Sequence, residues 1–326
     1  MNQILLQLNK TSPLLGCVFL IIIILHLFPV NFFQSYILNS AFENLLHPYG
    51  FACVAAFLLY ILYPSFQQSP RKHKTILLVS TTILCSAIGL ASEIIQRFFD
   101  RDASLDDLLN DTLGSVAGTL LFISITRYSF IRNKLLRLVM LFTGILVLSY
   151  TSVTFTKVSF AVYYRNHQYP TLFGFEKQWE QTFIDAKHST VSIVSNDTFW
   201  EDNKSSHSLR VDLHDGEYPG VSFSDVYSNW SKADTFSFAL YSLSDSSYSL
   251  FIRINDSNHN NEYTDRFNAR IQVNPGKNHY TFAINDIAKS LKTRTMNLNK
   301  VETILLFGHK NNSGKSILLD SIRLNR

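Results

Sequence analysis

Acidic and amide side chains are concentrated at residues 92–118, between two apolar runs of the chain. Glu93 and Gln96 lie three positions apart, and Asp107 and Asp111 lie four apart, so each pair shares one face of a helix. An ionisable side chain at the end of a membrane helix is costly, and it usually faces the protein interior and has a function there. The spacing therefore predicts two helices whose polar faces meet beside a short bend.

Two kinds of chemistry fit these side chains. Glu93 and Asp107 could act as general acid and base once packing raises the pKa of one carboxyl group. The alternative is a network of ion pairs around Arg101 that joins the two helices, with His47 nearby, because one guanidinium can satisfy two carboxylates. The sequence favours the network, since no nucleophile or set of metal ligands accompanies the carboxylates.

The second of these helices also carries two glycines four positions apart. Gly114 and Gly118 form a small-residue face of the kind that allows close helix approach in lipid. We expect this face to pack against the helix that carries Glu93, below the polar side chains.

These positions together resemble the motif of the VanZ-like family of integral membrane proteins. The residues that match it are Glu93, Gln96, Arg101, Asp107, Gly114 and Gly118. The sequence departs from the motif at Asp111, where the family has Asn, and in a bend that is a residue short. The segment from Glu43 to His47 is similar to the family's Asp-Lys-xx-His segment. The resemblance covers about residues 14–125 and implies a membrane domain related to proteins linked to glycopeptide resistance, without implying a particular reaction.

Five apolar runs are candidates for crossing a bilayer, which takes about twenty residues. They predict transmembrane helices at Pro13–Val30, Tyr49–Tyr63, Thr75–Phe99, Leu108–Ile125 and Leu135–Val153. The first could instead be a cleaved signal peptide, but its basic n-region is weak and more spans follow, which favours a retained helix. The second run is short and is bounded by Pro48 and Pro64. A start at Leu45 is also open, and His47 is expected at the outer end of this span.

Basic residues in the short loops indicate the orientation. The loops after the second and fourth spans carry Arg71, Lys72, Lys74, Arg127, Arg132, Lys134 and Arg137. Both loops are therefore expected in the cytoplasm, which places the N-terminus inside and the C-terminal domain outside. We expect a multi-pass protein of the bacterial inner (cytoplasmic) membrane, in contact with the lipid bilayer, whose C-terminal domain is periplasmic.

The two halves of the chain differ in composition. Residues 1–157 are mostly apolar, whereas the chain from Ala161 onward has equal numbers of basic and acidic residues. A neutral soluble half argues against nucleic-acid binding. The cysteines, Cys17, Cys53 and Cys85, lie in the apolar runs, so neither a disulfide framework nor a thiolate metal site is expected in the soluble half.

Seven segments of the C-terminal half alternate between apolar and polar residues and end at Gly, Pro, Asn or Asp turns, which is typical of β-strands. They are Ser208–Leu213, Thr235–Leu240, Tyr248–Ile254, Asn268–Val273, His279–Ile284, Val301–Phe307 and Ser316–Leu324. This spacing predicts an antiparallel sandwich. The expected fold is thus an α-helical membrane domain at 1–157, a connector with some helical content at 158–189, and an all-β jelly-roll sandwich at 190–326.

The sandwich also resembles the jelly-roll carbohydrate-binding modules of the galactose-binding-like superfold. The segments that carry this resemblance are Pro219–Val221, Tyr227–Ser231, Asp265–Asn268, Pro275-Gly276 and Leu319–Leu324. Candidate residues for contacts with sugar faces and hydroxyl groups are Tyr218, Tyr227, Trp230, Tyr263, Asp265, Arg266 and Asn268, with Trp200 as a further ring. Trp230 could equally be a core residue. Asp256, Asp265 and Asp320 could contribute oxygen ligands to a calcium site.

The expected function is recognition or modulation of an envelope lipid or glycan. No cofactor is expected, although a calcium ion in the sandwich stays open. Two alternatives stay open. One is an enzyme that acts on a lipid-linked saccharide at the outer leaflet through Glu93 and Asp107. The other is an envelope scaffold whose sandwich binds protein. The lack of a nucleophile favours a binding protein over an enzyme.

Overall fold

The structure, a computed structural model, describes residues 32–68, 70–96, 105–126, 131–196, 200 and 205–326. The chain divides into two compact units, Met1–Val158 and Ser159–Arg326. Apolar helices make up the described part of the first unit, and two β-sheets make up most of the second.

The described N-terminal region consists of helices. They are α1 (Tyr36–Gln68), α2 (Arg71–Gln96), α3 (Leu105–Ile125), α4 (Lys134–Thr151) and α5 (Val153–His167). Four of the described helices contain a stretch long and apolar enough to cross a membrane, namely Tyr36–Leu62, His73–Ile95, Leu105–Ile125 and Lys134–Thr151. These four correspond to the second to fifth predicted spans. The first predicted span, Pro13–Val30, lies outside the described residues.

Helix α1 is longer than the sequence predicts, because it continues through Pro48. The sequence places the start of this span at Tyr49 or at Leu45, since proline lacks the N–H group that an interior helix position donates. In an apolar environment, however, a broken helix would leave several backbone groups unsatisfied, and an uninterrupted helix is the cheaper arrangement. His47 consequently lies inside α1 and not at the outer end of a span, and its side chain is buried.

Close contact between α1 and α3 depends on two glycines. A Cβ atom on Gly114 would lie 2.1 Å from the carbonyl oxygen of Pro48, and one on Gly118 would lie 2.1 Å from that of Ala52. Only a residue without a side chain allows the two backbones to come this close. The small-residue face of α3 therefore packs against α1, and the prediction that it packs against the helix of Glu93 is wrong.

Helix α2 contacts α3 along a different face. Thr112 Oγ1 donates a hydrogen bond to Ser86 Oγ at 3.1 Å. One turn further along α2, a Cβ atom on Gly89 would lie 2.6 Å from Asp111 Oδ2, so the two helices are close here as well. Glu93 follows Gly89 by four positions and therefore projects from the same face of α2 toward α3.

The second unit contains two antiparallel sheets that form a sandwich. Its described strands are β1 (Thr171–Phe173), β2 (Ile184–Lys187), β3 (Ser189–Ser195), β4 (His207–Leu213), β5 (Gly220–Phe223), β6 (Thr235–Ser242), β7 (Tyr248–Asp256), β8 (Phe267–Val273), β9 (Gly276–Ala283), β10 (Val301–Phe307) and β11 (Ser316–Asn325). One sheet has the strand order β3-β4-β11-β6-β9, with β1 paired to β11, and the other has the order β2-β5-β10-β7-β8. A short helix, α6 (Ile284–Lys289), follows β9.

The core lies between the sheets and is filled by side chains that alternate along the strands. In β7, for example, Leu250, Ile252 and Ile254 are buried. Trp230 is fully buried, and its ring stacks on that of Phe236 with the centroids 5.2 Å apart. The seven predicted strands are confirmed as β4 and β6 to β11.

Residues 158–189 belong to the sandwich for much of their length and are not a simple connector. Strand β1 pairs with β11, and strand β2 pairs with β5. The helical content expected here is present as the end of α5 and as a 3₁₀ helix at Gln178–Phe183. The sequence does not predict β1, β2 or β5, because strands of three or four residues contain too few alternating positions to be recognised.

Candidate functional site

Three helices of the N-terminal region bring together a buried polar cluster. His47 comes from α1, Glu93 from α2, and Asp107 and Asp111 from α3. The Nδ1 atom of His47 lies 2.9 Å from Asp111 Oδ1. All four side chains are buried.

The same cluster has the composition of a metal site. His47, Glu93 and Asp107 each offer one ligand atom, and these three atoms lie within 4.8 Å of one another. An imidazole nitrogen with two carboxylate oxygens is a donor set that suits zinc or another divalent transition metal. The sequence predicts that His47 lies near the two carboxylates, but it does not identify the three as a set of metal ligands, because they are far apart along the chain.

The remaining residues of the predicted polar motif are placed differently. Gln96 is the last residue of α2, and its side chain is outside the described part of the structure. Arg101 and the bend that carries it also lie outside the described residues. The predicted ion-pair network around Arg101 therefore stays a prediction, whereas the structure does bring His47, Glu93 and Asp107 together.

A second candidate site is a groove on the outer face of the β2-β5-β10-β7-β8 sheet. Its volume is about 490 Å³. Two rows of cross-strand neighbours form its floor, Lys187–Gly220–Phe307–Phe251 and Ser222–Leu305–Arg253–Asn268. Because side chains alternate between the two faces of a strand, residues paired in this register project on the same side of the sheet, opposite the core.

One end of the groove is aromatic. The ring of Phe307 lies 5.9 Å from that of Tyr218 and 5.8 Å from that of Phe251, measured between centroids. The imidazole of His309 lies 4.8 Å from the Phe251 ring. Gly220 makes room for this cluster, since a Cβ atom there would lie 2.6 Å from the Cα atom of Phe307.

The other end of the groove combines an aromatic ring with a cation. The guanidinium of Arg266 lies over the ring of Tyr263, 5.2 Å from its centroid. Asn268 holds this segment in place, because its Nδ2 atom donates to the backbone oxygens of Tyr263 and Arg266 at 3.1 and 3.3 Å. Arg253 and Lys187 also line the groove.

Tyr218 and Tyr263 are unusually exposed for this sandwich. They are 46% and 67% exposed, and among the described residues from Thr171 to Arg326 they are the large hydrophobic side chains with substantial exposure. Both line the same groove. Tyr218 has a φ of 55°, a left-handed conformation that is costly for a residue with a side chain and is often found at functional sites.

Arg294 stabilises the loop that carries Tyr263 and Arg266, because it contacts Asp265 in the same loop. This guanidinium donates to both oxygens of Asp256, at 2.6 and 2.7 Å, and to both oxygens of Asp265. The hydrogen bonds from Arg294 lower the pKa of Asp265 to about 2. Burial by itself would raise the pKa of Asp256, but the hydrogen bonds from Arg294 and the backbone of Asn297 outweigh it and lower the pKa.

Several residues predicted for glycan or calcium binding therefore have structural partners. Asp256 and Asp265 contact a guanidinium in place of a calcium ion. Asp320 is buried in β11 of the other sheet, where it accepts a hydrogen bond from its neighbour's backbone. No group of three metal-ligating side chains in the described part of the chain includes either Asp256 or Asp320.

Three aromatic candidates also lie elsewhere. The Trp230 ring is in the core, and its Nε1 atom donates to the backbone oxygen of Tyr227 at 2.7 Å. The Tyr227 ring packs against Tyr169, and Trp200 is nearly buried beside Tyr241.

Of the predicted glycan-binding residues, Tyr218, Tyr263, Arg266 and Asn268 line the groove. Sequence reasoning missed Lys187, Phe251, Arg253, Phe307 and His309. The alternating pattern of β7 and β10 could have identified these residues as outward-facing. The positions between the buried residues are occupied by Phe251, Arg253, Leu305 and Phe307. Such positions are usually polar on a solvent-facing sheet, so aromatic rings there point to a binding surface.

No family model matches the chain, and no curated protein matches it. The resemblance to the VanZ-like family stays a prediction from the motif residues, since these comparisons do not find that family. Among solved structures, the C-terminal domain resembles carbohydrate-binding proteins. An exo-beta-agarase is 18% identical with a TM-score of 0.39, and the match covers 48% of this chain and 24% of the agarase.

Two carbohydrate-binding modules match a larger share of their own length. The family 11 module from Clostridium thermocellum, in complex with a beta-1,3-1,4-mixed-linked tetrasaccharide, is 16% identical over 48% of this chain and 94% of the module, with a TM-score of 0.37. The module TmCBM61, in complex with beta-1,4-galactotriose, is 10% identical over 44% of this chain and 86% of the module, with a TM-score of 0.31. These low scores describe a likeness of fold and do not assign a ligand to this chain.

Proposed function

We propose that this protein is a membrane protein whose β-sandwich binds a saccharide chain in the groove of the β2-β5-β10-β7-β8 sheet. The observation that carries the proposal is the position of Tyr218 and Tyr263, two exposed rings that both line the groove. A tyrosine ring offers a flat apolar surface with a polar tip, which suits the C–H face and hydroxyl groups of a sugar.

The dimensions and lining of the groove support the same function. Its volume of about 490 Å³ falls in the range of ligand pockets, roughly 300–1,000 Å³. Apolar and aromatic side chains alternate there with a few polar groups, such as Ser222, Asn268 and Arg253. This mixture is typical of a site where apolar contact gives affinity and placed hydrogen bonds give orientation.

Binding to saccharide panels tests this proposal. The full-length protein in detergent is screened against neutral and charged oligosaccharides by glycan array, and hits are measured by calorimetry. Tyr263→Ala and Tyr218→Ala should each weaken binding about tenfold or more, since loss of one stacking ring costs about 1–3 kcal/mol. Tyr163→Ala is the control, because Tyr163 is exposed but does not line the groove. Unchanged binding in both groove variants, or binding of protein ligands only, would contradict the proposal and favour the scaffold alternative.

The location of this groove follows from the predicted topology. The basic loops between the spans favour a cytoplasmic N-terminus and a sandwich outside the cytoplasmic membrane, where envelope glycans or lipid-linked saccharides are present. Reporter fusions after Ile125 and after Phe160 test this. A reporter active only in the cytoplasm is expected at the first position and one active only outside at the second; the reverse pattern would overturn the topology.

A second candidate function is supported by the polar cluster of the membrane domain. His47, Glu93 and Asp107 place three ligand atoms within 4.8 Å of one another in a buried site. A metal ion held there, or the carboxylates alone as acid and base, would suit an enzyme that acts on a lipid-linked saccharide at the outer leaflet. Metal analysis of the purified protein tests the first form: about one zinc per chain, lost in His47→Ala and Glu93→Gln, is expected. Turnover of a lipid-linked saccharide that survives in Glu93→Gln would exclude the acid–base form.

A further inference from the structure

Among the described residues, the lining of the groove contains cations but no carboxylate. Lys187, Arg253 and Arg266 line it, and none of the described lining residues is Asp or Glu. The nearest acid by strand register is Asp185, at the outer end of the row that contains Arg253. Its Oδ2 atom accepts a hydrogen bond from Ser224 Oγ at 3.1 Å, and it does not line the groove.

The two arginines also retain donor capacity. The Nε atoms of Arg253 and Arg266 are both buried and have no hydrogen-bond partner among the described residues. Burial lowers the pKa of Arg253, and the neighbouring charge of Arg266 lowers it further. Two half-buried guanidiniums that repel each other and lack acceptors are costly unless something else satisfies them.

Three other arginines of the same sandwich are paired with carboxylates. Arg165 contacts Asp225 at 3.0 Å, Arg210 contacts Asp212 at 3.0 Å, and Arg294 contacts Asp256 and Asp265. Folding satisfies these three guanidiniums, whereas the buried Nε atoms of Arg253 and Arg266 lack a hydrogen-bond partner among the described residues. An anionic ligand in the groove would add acceptors for these two guanidiniums.

We propose that the groove selects an acidic saccharide, one whose carboxylate, sulfate or phosphate group lies between Arg253 and Arg266 while its sugar rings contact Tyr263 and Tyr218. Guanidinium groups match these oxyanions in shape and donate to them in bidentate fashion. The proposal rests on the saccharide-binding function above and adds the charge of the sugar. Lys187, across the sheet from Arg253, extends the cationic surface along the chain of the ligand.

Paired oligosaccharides of equal length test the charge. Full-length protein in detergent is titrated with oligogalacturonate, with a sulfated oligosaccharide, with a phosphate-bearing one, and with a neutral β-glucan. At least one acidic probe should bind about tenfold or more tightly than the neutral one, and its affinity should fall as salt is raised because the contact is ionic. The acidic probe that binds tightest identifies the anionic group.

Substitutions at the two arginines locate the contact. Arg253→Gln and Arg266→Gln should each weaken binding of the acidic probe about tenfold while changing neutral-sugar affinity little, since each variant loses a charge-assisted hydrogen bond to the anionic group. Arg323→Gln is the matched control: Arg323 is exposed on β11 of the other sheet and does not line the groove. Without ligand, each groove variant should melt at or above the wild-type temperature, because it removes a like-charge repulsion.

The outcomes separate the two proposals. Equal affinity for neutral and acidic probes, with no effect of either arginine variant, overturns the acidic preference and leaves saccharide binding in place. Binding of acidic peptides or nucleic acid in preference to any sugar overturns the acidic-saccharide inference as well. If no sugar binds, acidic or neutral, both the saccharide-binding function and the acidic preference are contradicted.

Discussion

His47 Nδ1 lies 2.9 Å from Asp111 Oδ1, and this contact joins α1 to α3 across 64 positions of the chain. Both side chains are buried, at 2% and 0% exposure. In an apolar environment such a contact fixes the rotation of one helix against the other, because any other rotation leaves a polar group without an acceptor or donor. The contact also determines which face of α1 is presented to Glu93 and Asp107.

Removing either partner of this contact should destabilise the helices. We expect His47→Ala and Asp111→Ala each to lower the thermal midpoint in detergent, since a hydrogen bond to a charged group contributes about 1.5–3 kcal/mol. The double variant should lose less than the sum of the two, with a coupling of about 0.5–3 kcal/mol. His73→Ala, an exposed histidine of α2, is the control. Strictly additive losses would show that the two side chains do not act on each other.

A side chain at Gly114 should disrupt the membrane domain more than one on the far side of the same helix. The added Cβ atom in Gly114→Ala would meet the carbonyl oxygen of Pro48 at 2.1 Å, so one backbone must move. The expected loss of stability is at the upper end of the range for overpacking, about 3 kcal/mol or more. Val116→Leu adds a carbon at a partly exposed position of α3 and should be nearly neutral. Equal thermal midpoints for the two variants would argue against close packing at Gly114.

The sandwich should fold without the helical unit. The unit Ser159–Arg326 has its own core and contains no cysteine. Expressed alone, it should give a circular dichroism spectrum dominated by β-structure and a cooperative melting transition that reductant does not change. A mainly helical spectrum, or a transition that shifts with reductant, would contradict the expectation.

Replacement of Arg294 should destabilise this unit in a pH-dependent way. Hydrogen bonds from Arg294 lower the pKa of Asp265 from 3.8 to about 2, so the folded state favours the ionised carboxylate. The resulting stabilisation is complete above the unfolded pKa of 3.8 and is lost as the pH falls toward 2. Arg294→Met should therefore lower the melting temperature at pH 7 by about 5 °C or more, because two buried carboxylates lose their partner.

The pH profile separates this effect from a general loss of packing. The difference in melting temperature between wild type and Arg294→Met should shrink as the pH falls through this window, whereas Arg323→Met, at an exposed position of β11, should follow the wild type throughout. A difference that stays constant down to the lower end of the window would show that Arg294 acts through packing and not through charge.

Local patterns predict most of the strands and four of the helices, but not their neighbours. The alternation of Leu250 to Ile254 is visible in the sequence, and it identifies a strand with one apolar face. Nothing in that pattern shows that Arg253 lies opposite Leu305 and Asn268, because strand order is decided by packing of the whole sandwich. The sequence could therefore predict some of the residues of the groove, but not that they lie next to one another.

Long-range contacts explain why some of the predicted site residues lie outside the groove. Asp265 has the composition of a ligand-binding residue, yet it contacts Arg294, which is 29 positions away. Trp230 has the ring expected of a sugar platform, yet its burial against Phe236 stabilises the core. In each case the residue type is compatible with both roles, and only the tertiary partner distinguishes them.

The two faces of strand β7 have different roles, so adjacent residues contribute to the core and to the groove. Leu250, Ile252 and Ile254 stabilise the fold, while Phe251 and Arg253 face the groove. Substitutions at the outward positions should change the surface that a ligand contacts while the core side of the strand keeps its packing. Such substitutions should therefore need no second, stabilising substitution elsewhere. In related chains, the inward residues of β7 and β10 should vary little in volume, while the outward ones should vary in chemical type.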